Sequence, residues 1–110
     1  MARDEARSRR HVLVVTRTAF DAVRVMDGLE DALRPRDGAP AMLRGQGLWS
    51  ARSNEWGEGS IEIRVGRPDG ASCRGRYADT VLISSDVSRS AGEHARLTVT
   101  PSPAPFVAVW

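Results

Sequence analysis

Three stretches of the chain carry no charged residue on either alternating face: Val12–Thr16, Thr80–Ser84 and Leu97–Thr100. Strands covered on both sides read this way, so the pattern predicts three parallel strands of a buried sheet. Between the first two the period changes. Ala22, Met26, Leu29 and Leu33 recur at spacings of four, three and four, which is one stripe of an α-helix. Thr18 is placed to cap that helix, with Asp21 three residues on, and Arg34-Pro35 ends it. Ile61-Glu-Ile-Arg-Val65 alternates strictly and predicts a half-exposed strand in a hairpin or at a sheet edge. Gly47–Ala51 reads as a short strand, and Pro68-Asp-Gly70 as a turn. The prediction is one small α/β domain over residues 11–110, with a mostly parallel sheet, one main helix and a β-hairpin around Ile61–Val65. Residues 1–10 are expected to form a disordered basic tail.

Composition narrows the chemistry. The chain has 110 residues, 41% hydrophobic and 27% charged, the balance of an ordinary globular domain. All 16 basic residues are arginine, so a lysine Schiff base and any phosphate loop carrying its own lysine are excluded. Net charge is only +2, but Arg3, Arg7, Arg9 and Arg10 crowd the first ten residues against Asp4 and Glu5. Arg7, Arg9 and Arg10, with Arg74 and Arg76 around Gly75, are the candidate contacts for weak, sequence-indifferent binding of nucleic acid. One cysteine, Cys73, with His11 and His94 gives no metal set, and no cofactor is implied. Ser84, Ser85, Asp86 and His94 include the residue types of a hydrolase triad, but no Gly-x-Ser-x-Gly elbow surrounds either serine. Trp49 in its Gly-rich segment reads as core more readily than as a base-stacking platform. No apolar run approaches the ~20 residues that span a bilayer, so no membrane contact is expected, and the single cysteine fits a reducing, cytoplasmic compartment. The apolar segment Phe106–Trp110 is a candidate strand for a protein partner or a homo-oligomer.

Taken in order, these pieces resemble the ATPase domain of the phage large terminase, the RecA-like motor that packages DNA. The resemblance is carried by the strand and helix over His11–Leu33, by Glu55-Trp-Gly-Glu-Gly-Ser-Ile-Glu-Ile63 ahead of a hairpin, and by Arg74-Gly75 before the strand Thr80–Ile83. It continues in Leu97-Thr-Val-Thr-Pro101, which is similar to the family's coupling motif. The likeness implies that Ser84, Ser85, Asp86, Thr98 and Thr100 stand at the nucleotide, and that Ser84 and Thr100 converge on one cleft.

The departures from the family's pattern are chemical. No Gly-rich phosphate loop precedes the first strand, and Ser84-Ser85 occupy the place of the paired acids that hold magnesium and polarise water. The resemblance therefore implies a degenerate, truncated core: a non-catalytic, terminase-like binding or accessory protein. The alternatives are a small phage structural or regulatory interaction module, and a partial ATPase completed by a partner chain.

Overall fold

The computed structural model describes residues 10–33, 41–45, 48–52, 59–71, 73 and 75–110. In chain order the described elements are β1 (His11–Thr16), α1 (Ala19–Leu33), β2 (Ala41–Gly45), β3 (Leu48–Arg52), β4 (Ser60–Val65), β5 (Thr80–Ile83), α2 (Arg89–Leu97) and β6 (Phe106–Val109). The six strands form one sheet in the order β2-β3-β4-β1-β5-β6. From β4 to β6 every pairing is parallel, whereas β2-β3 and β3-β4 are antiparallel.

The sequence pattern explains the layers. In β1, Val12 and Val14 point to one face and Leu13 and Val15 to the other, and all are buried. On the first face α1 lies over β1, β3 and β4 and seats Ala22, Met26 and Leu29 against Val12, Val14, Ile61 and Ile63. Thr18 caps it as expected: its hydroxyl accepts from the Asp21 amide at 3.1 Å and donates to the Asp21 carboxylate at 2.9 Å. On the second face α2 packs on β5, and Ala95 and Val99 cover Leu13, Val15, Val81 and Ile83 together with Cys73 and Ala78. A chain with both faces of its central strands covered is the α/β architecture that the unbroken apolar runs require.

One expectation needs correction. Leu97–Thr100 is not a strand. Leu97 ends α2, and Thr98–Thr100 are turns closed by Thr98 N–H to the Ala95 carbonyl at 3.1 Å and Thr100 N–H to the Leu97 carbonyl at 3.2 Å. The strand beside β5 is β6 instead, reached through the second, shorter helix α2. The β-branched Thr-Val-Thr has the composition of a strand, yet only Val99 supplies an apolar anchor and Thr98 hydrogen-bonds back onto the helix at 2.7 Å. Of the two places expected for β4, hairpin or sheet edge, it takes the hairpin: it lies between β3 and β1, with Ile61 and Ile63 buried while Glu62 and Arg64 face the other side. Its antiparallel pairing with β3 is the hairpin predicted around Ile61–Val65.

Arg10, part of the expected basic tail, is anchored. Its guanidinium donates to Thr80 Oγ1 at 2.9 Å, to the Asp79 carbonyl at 2.7 Å and to the Ala104 carbonyl at 2.5 Å. Residues 1–9, and with them Arg7 and Arg9, lie outside the described residues. No helix among the described residues is long and apolar enough to cross a membrane.

Candidate functional site

Where two parallel neighbours send their following helices to opposite faces, the carboxyl ends of the strands open a crevice, the usual ligand position of open α/β sheets. β1 leads into α1 on one face and β5 leads into α2 on the other, so this crevice lies between Thr16–Thr18 and Ser84–Asp86. Its walls are fixed by the backbone. Ser84 N–H donates to the Val15 carbonyl at 2.9 Å, and Gly66 N–H, at the exit of β4, donates to the Thr16 carbonyl at 2.8 Å. Gly66 is required there by space: a Cβ would stand 2.8 Å from Val15 Cγ1 and 3.2 Å from Ala91 Cβ. Ser85 N–H reaches the Trp110 carbonyl at 2.6 Å, which ties the end of β6 to the same rim.

The side chains on this rim are mostly hydroxyls. Thr16 is buried and donates to the Thr18 carbonyl at 3.0 Å. Ser84 Oγ donates to the Asp86 carboxylate, closing a small loop within the turn. Asp86 and Ser85 are exposed. Ser84 and Ser85 also line a cleft of about 280 Å³ that runs between α2 and β6, with Val87, Ser88, Gly92, Arg96 and Val109 along it. Ser88 caps α2, its hydroxyl accepting from the Ala91 amide at 3.2 Å. At the end of β5 the arrangement offers hydroxyl and amide donors and one carboxylate already engaged by Ser84. Among the described residues no group of three or more His, Cys, Asp or Glu side chains is placed to hold a metal ion.

The structure brings Ser84, Ser85 and Asp86 together and separates them from Thr98 and Thr100. The Thr98 carbonyl accepts from the Ala78 amide at 3.0 Å, at the amino end of β5, so these threonines sit at the opposite end of that strand from Ser84. Of the candidate nucleic-acid contacts, Arg10 is held within the fold as described and Arg74 lies outside the described residues. Arg76 reaches Glu62 at 3.2 Å, and Glu62 also holds Arg64 at 2.7 Å.

Trp49 is buried in the core beside Ile63, and nearby Arg44 is engaged by Asp27 and Glu30 of α1, each at 2.8 Å. Cys73 and His94 share a second cavity of about 230 Å³ with Asp69 and Arg76. Burial pushes the Cys73 thiol above its ordinary pKa, the opposite of what a thiolate nucleophile needs. His94 belongs to that cavity rather than to the rim at Ser84, so the triad residue types are not assembled. The element that pattern reading misses is α2; its signal is Ser88 at a cap spacing from Ala91, with His94 and Arg96 in the last turn.

No family model matches the chain, and neither does any curated protein. Solved structures do. The large terminase of a thermophilic bacteriophage superposes with a TM-score of 0.63 at 11% identity, over 91% of this chain and 26% of that one. A second structure of the same terminase, in complex with ADP, gives a TM-score of 0.63 at 9% identity, over 91% of this chain and 25% of that one. The chain thus spans about a quarter of the terminase it matches, 26% and 25% in the two structures. The six-stranded sheet, with β5 between two parallel neighbours, has the fold of part of a phage large terminase.

Proposed function

We propose that this chain is a non-catalytic, terminase-related binding or accessory protein that acts by contact rather than turnover. The observation that carries the reading is the end of β5, where Ser84 and Ser85 follow the strand directly and the first acid, Asp86, is bonded to Ser84. Phosphoryl transfer needs a metal clamp on the phosphates and a group that orients the attacking nucleophile. A serine hydroxyl supplies neither a magnesium-neutralising charge nor a base, and the chain contains no lysine for the phosphates.

One of the terminase structures is a complex with ADP; for this chain the corresponding proposal is a nucleotide contact at Ser84, Ser85 and Asp86, without Thr98 and Thr100. Phosphate release from ATP and magnesium by the purified protein tests the reading. The expected result is release at the buffer background, unchanged by Asp86→Asn. Turnover above background that Asp86→Asn abolishes would overturn it.

A further inference from the structure

Among the described residues β6 is the edge strand of the parallel half of the sheet. Its bonds to β5 run from Phe106 N–H to the Asp79 carbonyl and from Trp110 N–H to the Ile83 carbonyl, while the Trp110 carbonyl accepts from Ser85. Backbone groups alternate along a strand, so Phe106, Ala108 and Trp110 face β5, and Val107 and Val109 present their N–H and C=O outward. No charge or proline guards this edge between Phe106 and Trp110, which is how single-copy proteins usually protect one. Phe106, Val109 and Trp110 are exposed instead. The opposite edge, β2, carries Arg44.

The edge is also symmetric about its middle residue. Phe-Val-Ala-Val-Trp reads aromatic, β-branched, alanine, β-branched, aromatic from either end. We infer that β6 pairs antiparallel with β6 of a second copy of this chain, about a twofold axis at Ala108. In that register the outward groups of Val107 meet those of Val109 in the other copy, and the reverse, making four backbone hydrogen bonds.

Ala108 then faces Ala108 as a non-hydrogen-bonded pair, the position of closest strand approach, where the smallest side chain belongs. Phe106 and Trp110, on the same face as Ala108, stand opposite Trp110 and Phe106 of the second copy, as cross-strand aromatic pairs. On the other face Val107 of the second copy comes beside Val109 at the cleft between β6 and α2, where Ile83 and Val87 offer apolar contact beside the polar Arg89, Glu93 and Arg96. A closed twofold contact uses one patch twice, and a palindromic strand is such a patch. The contact does not depend on the catalytic reading of Ser84 and Ser85.

Sedimentation velocity across a dilution series tests it, on the wild type and on Val109→Pro. The proline removes an outward N–H and leaves the bonds to β5 in place. Expected is a dimer whose association falls roughly tenfold or more in Val109→Pro, because two of the four bonds are lost, with an unchanged far-ultraviolet spectrum. Ala108→Cys in a Cys73→Ser background gives a second readout. Facing Cα atoms in a non-hydrogen-bonded pair lie about 4.5 Å apart, within disulfide reach, so this variant should cross-link on mild oxidation, whereas Val107→Cys should not. A monomer at every dilution, which would leave the edge to a different polypeptide, overturns the proposal. So does a dimer indifferent to Val109→Pro, or one in which Ala108→Cys fails to cross-link.

Discussion

Replacing Arg10 by alanine should loosen the amino end of the parallel strands as a unit. The guanidinium leaves the entry of β1, touches Thr80 and Asp79 at the start of β5, and reaches the Ala104 carbonyl ahead of β6. Three strands that follow one another only through long connections are thus held by one side chain. Hydrogen bonds to a charged group contribute about 1.5–3 kcal/mol each when buried and nearer 0.5–1.5 kcal/mol when water competes. Arg10 is half-buried, so its three bonds together are worth about 2–3 kcal/mol.

In urea, where a domain of this size loses roughly 1–3 kcal/mol per molar, that moves the unfolding midpoint down by about 0.7–3 M. Urea titration read by circular dichroism measures it. Arg10→Lys should fall between, since one ammonium cannot serve the same three acceptors in a fixed fork. A deletion of residues 1–9 that keeps Arg10 separates the clamp from the rest of the basic segment. An Arg10→Ala midpoint within error of the wild type would refute the reasoning.

Three further outcomes follow from particular groups. Asp79 accepts the His11 amide and the Ser102 hydroxyl, and the His11 amide above all, with Ser102 and the Arg10 charge, holds its carboxyl below the usual range against the opposing effect of burial. A lowered folded pKa adds stability that is present above the ordinary carboxylate value of 3.8 and is lost as pH falls through the folded one. Asp79→Asn should therefore weaken the protein at neutral pH and lessen its loss of stability below about pH 4, as measured by urea midpoints across pH. Gly70 has φ of +73° and a Cβ there would stand 2.5 Å from the His94 ring, so Gly70→Ala should cost about 1–3 kcal/mol and His94→Ala should relieve part of it in the double variant, again by urea midpoints. Cys73 is buried with a raised pKa, so its reaction with a thiol reagent at pH 8 should be slow in the folded protein and become fast in denaturant.

What can be read from the sequence is what burial writes into it. The unbroken runs of β1 and β5 are buried on both faces and stand out, and so does the four-three-four stripe of α1. β4 alternates because Glu62 and Arg64 share a polar patch with Arg76 on the face opposite Ile61 and Ile63, so its interior position is masked by an edge-like pattern.

α2 is hidden for a different reason. It covers the sheet with Ala91 and Ala95, which let it sit close but contribute almost no hydrophobic periodicity, and its other positions are polar apart from Gly92 and the exposed Leu97. The β-branched residues just past it then mimic a strand. β6 is legible as a strand, but its place beside β5 depends on a connection through α2 that the missed helix conceals. The site follows the same division: Ser84, Ser85 and Asp86 sit at the carboxyl end of β5, whereas Thr98 and Thr100 follow α2 in a turn at the other end of that strand.

The functional reading depends on β5 lying between two parallel neighbours, β1 on one side and β6 on the other. Cross-strand nuclear Overhauser effects in isotopically labelled protein measure this directly. Expected are backbone contacts from Val81 to both Leu13 and Val107 and from Ile83 to both Val15 and Val109, in parallel order, with sequential amide–amide contacts through Arg89–Leu97. Contacts from Val81–Ile83 to Leu97–Val99 in place of Val107–Val109, or an antiparallel order beside β5, would contradict the fold and, with it, the terminase-related reading.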